Sequence, residues 1–340
     1  MSQMQWGLVA LGAVVLLCMV IYNGWQARKL QPRQPSQVED AGSAQQEPTL
    51  DVSAFDAPAF AIPAPKKESG LDALIDSLVP IALETAVSGD AVLAALPPTR
   101  RVGSKPFGVE GLNSVTERWE FAQPGQRYQQ LQVGLQLANR AGAINDIEFS
   151  EFVMKTQAFC DVINGTPDFP DMRQEVSRAR ELDQFAGDHD AQLGFMLLAR
   201  RTAWSPSYIQ QMAARHGFVP GAIAGRMVLP AVNLGLPPVL SLSFDSQAAL
   251  ADDPAQSALR ELHLALDVPQ VDRSEQAFER MRQAAVALAA DMDAVVTDDH
   301  GVPVPAEAMD QIAKDLQALY DTLDQRELSA GSVLARRLFS

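Results

Sequence analysis

The side chains in this sequence that could do chemistry are four histidines, two cysteines and a few paired carboxylates, and their spacing argues against a reaction centre. His189, His216, His263 and His300 are scattered without the spacing of metal ligands. His189-Asp190 and Asp298-Asp299-His300 read as acidic turns, so each histidine is expected to be a surface or structural one. Asp252-Asp253 and Asp298-Asp299 are carboxylate pairs of the kind used in acid–base work, but neighbouring carboxylates in a loop usually form a solvated face. Cys18 lies in an apolar run far from Cys160, and the two build neither a disulfide framework nor a zinc site. No phosphate-cradling glycine loop, nucleophile elbow or HExxH helix occurs. The expectation is a protein that is not an enzyme and holds no metal and no cofactor. What remains is recognition through a surface.

A recognition surface needs a core behind it, and the composition supplies one. Of 340 residues, 47% are hydrophobic, enough to fold one or two domains rather than a disordered chain. The 42 acidic and 27 basic side chains leave a formal net charge of −15, which argues against nucleic acid as a partner because phosphate binding needs a basic face. Yet the first charged side chain is Arg28. Residues 6–25 read WGLVALGAVVLLCMVIYNGW, an uncharged run that as a helix spans the roughly 30 Å hydrocarbon core of a bilayer. A signal peptide would carry a basic start and a small-residue cleavage site, and neither is present. Trp6, Tyr22 and Trp25 stand at the two interfaces, and Arg28, Lys29 and Arg33 follow at once. The positive-inside rule then places the N-terminus in the periplasm and the rest in the cytoplasm of a single-pass inner-membrane protein, with the lipid bilayer engaged through residues 6–25.

The domain organisation follows from shifts in composition and period. Residues 1–29 form the anchor and its basic flank, and 30–70 a linker rich in Pro, Gln and Ala. Within that linker, Val52 to Ile62 holds Phe55 and Phe60. Residues 190–325 read β-α-β-β-β-α-β-α. Gln192 to Arg200 is a strand, Ser205-Pro206 opens a helix, and Gly217 to Leu229, Val239 to Asp245 and Leu262 to Val268 are strands. A helix from about Ser274 to Met292 buries Phe278, Met281, Ala285, Leu288 and Met292, and a last helix runs from about Ala306 to Leu323. Residues 71–189 repeat that order, with Asn145 and Glu148 capping a helix that bears Phe149, Phe152 and Phe159. The predicted fold is α+β, two tandem split-βαβ domains with helices on one face of a mostly antiparallel sheet. Residues 326–340 are a short basic tail.

Helices on one side leave the other face of such a sheet open. In the C-terminal copy Leu240, Leu242, Phe244, Leu262, Leu264 and Leu266 should point to the helices. Ser241, Ser243, His263 and Ala265 should then face outward, joined by Met196 and Leu198 from the first strand and by Ile223 and Met227 from the second. This flat and partly apolar surface suits a peptide laid across strands, and a plain solvated face is the competing reading.

These elements resemble the ZipA family, bitopic division proteins that tie the tubulin-like FtsZ to the bacterial inner membrane. The resemblance is carried by MRQAAVALAADMDAVVTDDHGVPVPAEAMDQIAKDLQAL (Met281 to Leu319), by LDVP (Leu266 to Pro269), and by HGF with Gly221 three residues later. It implies that the open face binds the C-terminal peptide of FtsZ, and that the protein tethers FtsZ filaments to the membrane in septum formation. Where the family usually shows an exposed Phe on the fourth strand and a Met ending the third, this chain has Ala265 and Asp245. The extra copy, residues 71–189, lies outside the familiar layout. In the alternative reading, the two copies pack sheet to sheet and bind a different division partner.

Overall fold

A computed structural model describes residues 70–233, 235–251 and 257–340. The expected membrane span at 6–25 and the linker at 30–69 lie outside the described residues. Among the described residues no helix is long and apolar enough to cross a membrane. The secondary structure is mixed α and β, every strand pairing in its two main sheets is antiparallel, and the chain divides into two units.

The N-terminal unit opens with β1 (Asp76–Leu83) and the short α1 (Gly89–Ala95), followed by β2 (Lys105–Asn113) and β3 (Arg127–Gln136). Helix α2 (Asp146–Ile163), β4 (Gly165–Pro167) and α3 (Met172–His189) follow. Across the sheet the order is β2-β3-β1-β4, so the first strand lies between the strand before the long helix and the strand after it. Val79, Ile81, Phe107, Leu131, Val133 and Leu135 form the buried side, and Phe149, Phe152 and Phe159 of α2 are buried as well. The Phe107 and Phe152 rings meet edge to face at 6.0 Å. Helix α2 starts where the sequence places it. Asn145 accepts from the Ile147 and Glu148 amides at 3.0 Å, and Glu148 returns a carboxylate to the Asn145 amide, which closes the capping box. Asn145→Ala is expected to lower stability by about 1 kcal/mol, read as an earlier midpoint in a urea titration with unchanged slope.

The C-terminal unit holds β5 (Gln192–Ala199), α4 (Pro206–Arg215), β6 (Arg226–Leu229), β7 (Leu240–Ser243), β8 (Glu261–Asp267), α5 (Ala277–Met292), β9 (Ala294–Thr297) and the first turns of α6 (Ala306–Gln325). A short strand at Val219–Pro220 begins its sheet, which continues β6-β7-β8-β5-β9. Here too the first strand lies between the strand before the long helix and the one after it. Ser205 caps α4 through the Tyr208 amide, with Pro206 in the first turn as its sequence predicts. Trp204 is fully buried, and its indole N–H donates to the Met292 carbonyl at 3.0 Å. Helix α5 packs on β8, β5 and β9. Its predicted stripe, Phe278, Met281, Ala285, Leu288 and Met292, is buried throughout.

Two features differ from the sequence reading. The expected strand at 217–229 is a hairpin. Gly221 donates to the Arg226 carbonyl at 2.9 Å and Arg226 to that of Ile223 at 3.1 Å, so residues 221–225 are its turn. Gly225 sits at φ +76°, where an added Cβ would lie 2.7 Å from the Phe244 carbonyl oxygen, and this close approach fixes the turn there. The basic tail at 326–340, expected as a segment apart from both domains, groups with the N-terminal unit. Helix α7 (Val333–Leu338) is capped by Ser332, and Leu338 and Phe339 are fully buried. Gln270 donates to the Phe339 carbonyl at 2.6 Å and Gln136 to that of Arg337 at 2.8 Å. The Arg337 guanidinium donates to the fully buried Asp76 carboxylate at 2.9 Å and to the Gly70 carbonyl. Burial pushes the Asp76 carboxyl above its ordinary value, although Arg337 pulls it down.

Candidate functional site

The open face of the C-terminal sheet follows from strand register. Residues opposite each other in an antiparallel pair share a face, and neighbours along a strand alternate. Leu242 pairs with Leu264, and both are fully buried on the helix side. Their neighbours therefore face outward. One outward row runs Arg226, Ser243, His263 and Met196, each opposite the next. The next runs Val228, Ser241, Ala265 and Gly194, and Leu198 lies opposite Glu261 beyond His263. His263 and Ala265 are exposed, while Met196, Leu198, Ser241 and Ser243 are half-buried. Six of the eight sequence-predicted residues thus lie together on this face.

The other two do not. Met227 is opposite Leu242 and is only 3% exposed, so it is a core residue. Ile223 is 60% exposed at the hairpin turn rather than on a strand. The cause is the turn itself. Treating 217–229 as one strand carries the alternation through Gly225, where the chain reverses and the parity is reset. The outward residues of β6 are Arg226 and Val228, which the sequence reading missed. Gly194 was missed as well, although its spacing of two and four from Met196 and Leu198 marks it as facing the same way.

Gly194 and Ala265 leave the centre of the face shallow. The carboxylate of Asp299 closes it on one side, 3.2 Å from where a Gly194 Cβ would stand. At the other end a depression of about 530 Å³ is lined by Ser243, Asp245, Leu259, Glu261 and His263 among others. A shallow, partly apolar floor bordered by Asp299, Asp245 and Glu261 can hold an extended peptide through side-chain contacts and shape.

Among the described residues the reactive side chains of the sequence are not assembled into one centre. His216 pairs with Asp291 at 2.9 Å, and His189 bonds the Phe185 carbonyl at 2.7 Å while stacking on its ring. His263 lies on the sheet face, and His300 sits in a turn where its amide donates to Asp298. Cys160 is buried, and burial pushes its thiol up to about 11, far from a reactive thiolate. Asp252-Asp253 lies outside the described residues. Among the described residues no three His, Cys, Asp or Glu side chains are grouped to hold a metal ion.

An antiparallel sheet covered by helices on one face and open on the other, with small and apolar residues at its centre, is an α+β surface on which an extended peptide can lie. Residues 250–315 match the family model described as ZipA, C-terminal FtsZ-binding domain. That match bears out the resemblance to the ZipA family, and the matched family is a protein-binding domain, not an enzyme family. No curated protein matches the chain.

Proposed function

We propose that this protein is a cell-division adaptor that binds the C-terminal peptide of FtsZ on the open face of β5, β8, β7 and β6 and holds FtsZ filaments at the inner membrane. The observation that carries the reading is the coincidence of that face with the matched segment: β8, which contributes His263 and Ala265 at its middle, lies inside residues 250–315. Tethering is supported by the uncharged run at 6–25 and the basic flank after it, with the folded units on the cytoplasmic side. A filament presents many copies of its tail, so modest affinity per site is sufficient for stable recruitment. We also infer that the N-terminal unit is a diverged second copy of the same fold. The shared placement of the first strand, between those flanking the long helix, supports this.

The test is recruitment of FtsZ to vesicles carrying the full chain, with FtsZ either intact or lacking its last residues. Recruitment that survives removal of the tail sinks the reading. At the level of the face, Ala265→Lys is expected to weaken binding of the FtsZ tail peptide roughly tenfold, about 1.4 kcal/mol, by placing a cation at the centre of the floor. Ala265→Phe, which supplies the aromatic residue the family usually carries there, is expected to strengthen it. Calorimetric titration of the peptide into each variant reads both changes.

A further inference from the structure

The N-terminal unit contains a cleft of about 480 Å³ that has no part in the function proposed above. Leu71, Leu93, Leu96, Phe107, Phe121 and Val333 give it an apolar lining, and the charged groups of that lining are the guanidiniums of Arg100 and Arg337. Arg337 is satisfied by Asp76. Arg100 is exposed and has no hydrogen-bond or ion-pair partner among the described residues. A lining of this kind accepts many apolar molecules, so the occupant is decided by what the chain itself brings to the cleft.

What it brings is the segment that precedes Gly70. Gly70, the first described residue, is itself part of the cleft wall. Its amide and that of Leu71 donate to the Glu110 carboxylate at 2.6 and 3.0 Å, Arg337 donates to its carbonyl, and a Cβ on it would lie 2.3 Å from the Phe121 ring. The chain is therefore pinned against Phe121 at the point where residues 1–69 join it. Ten residues span at most about 36 Å, so Phe60 can reach the whole cleft. Confinement within that distance gives it a local concentration on the order of millimolar, an advantage that no separate molecule has. Residues 26–69 carry two aromatic side chains, Phe55 and Phe60, and both fall in the stretch DVSAFDAPAFAI at 51–62. That stretch also holds two carboxylates, Asp51 and Asp56, and no basic group, which complements the charge of the cleft.

We propose that this cleft is the docking site of the chain's own residues 52–62. Phe55 and Phe60 sit among Leu93, Leu96 and Phe121, and the Asp56 carboxylate pairs with Arg100. Docking in this way leaves residues 26–51, rather than 26–69, as the free connection between the uncharged run at 6–25 and the N-terminal unit.

The test uses the full chain in detergent micelles and has two readouts. The first is the rate of chymotryptic cleavage after Phe60. Arg100→Glu is expected to raise that rate at least fivefold by releasing the segment, and because Arg100 has no partner to lose, the fold should not change. Asp56→Lys should do the same, and the two changes together should restore the slow rate by reversing the pair. The second readout is the fluorescence anisotropy of a labelled peptide with the sequence of residues 50–64. It is expected to bind the variant with Phe55→Ser and Phe60→Ser at least tenfold more tightly than the unaltered chain, whose cleft is already filled. Adding Ala265→Lys to that variant should leave the binding as it was. Cleavage unmoved by Arg100→Glu, or a double charge variant cut as fast as Arg100→Glu alone, overturns the proposal. So does equal binding of the peptide to the two chains, or binding to neither. Loss of binding on adding Ala265→Lys overturns it too, by moving the segment to the C-terminal sheet face.

Discussion

Arg337→Ala is expected to destabilise the N-terminal unit by about 3–5 kcal/mol. The reason is what it leaves behind. Asp76 is fully buried, and its carboxylate accepts from Arg337 and from the Asp72 amide at 2.8 Å. Without the guanidinium, a carboxylate with one remaining donor sits where water does not reach it. A double variant, Asp76→Leu with Arg337→Met, removes both charges together and is expected to recover most of the loss. If the double variant is no more stable than Arg337→Ala in a denaturant titration, the cost comes from packing of the tail and not from the orphaned charge.

The pH dependence separates the same two accounts. Burial already raises the Asp76 carboxyl above 3.8, so the folded state holds its proton more tightly than the unfolded chain does. Stability from this group is therefore greatest below the unfolded value and declines as pH rises through the folded one. In Arg337→Ala the two lowering influences of the guanidinium, its hydrogen bond and its charge, are gone, and the folded value rises further. The deficit of the variant should be smallest in acid, where Asp76 is protonated in both states, and should grow as pH increases. A deficit that stays constant between pH 3 and 8 contradicts the buried-charge account.

This pair also shows where sequence reasoning stops. Local periodicity made much of the fold legible. LSLS at Leu240 to Ser243 and ELHLALD at Glu261 to Asp267 alternate between core and solvent as their patterns predict, and the caps at Asn145 and Ser205 open helices where expected. These features depend on neighbours within a few residues. Arg337 and Asp76 are 261 residues apart, and nothing around either announces the other. A basic tail with two apolar residues reads equally well as solvated or lipid-facing until its partner is known. The hairpin at 219–229 failed for another reason. Its glycines were visible, but a four-residue strand beyond a turn keeps an apolar alternation by chance, and only the pairing of Met227 with Leu242 decides its parity.

Two methionines put that parity to a direct test. Met227→Lys is expected to cost about 4 kcal/mol or more, because it buries an unpaired ammonium among Leu242 and its neighbours on the core side of the sheet. Met196→Lys is expected to change stability by no more than about 0.5 kcal/mol, since Met196 faces outward beside His263 and a lysine stem can lie along the sheet with its charge in water. Binding should show the opposite order. Met196→Lys keeps the fold and removes an apolar contact at the edge of the floor, so FtsZ-peptide affinity should drop by more than about 1 kcal/mol at an unchanged melting temperature. Met227→Lys should lose binding only in proportion to the fraction unfolded, and regain it at a temperature low enough to restore the fold. Had the strand kept the parity read from the sequence, both residues would face outward and both lysines would weaken binding while sparing stability. Thermal melts and peptide titrations on the two variants therefore report which side of the sheet each methionine occupies, and with it whether the proposed face is the one that binds.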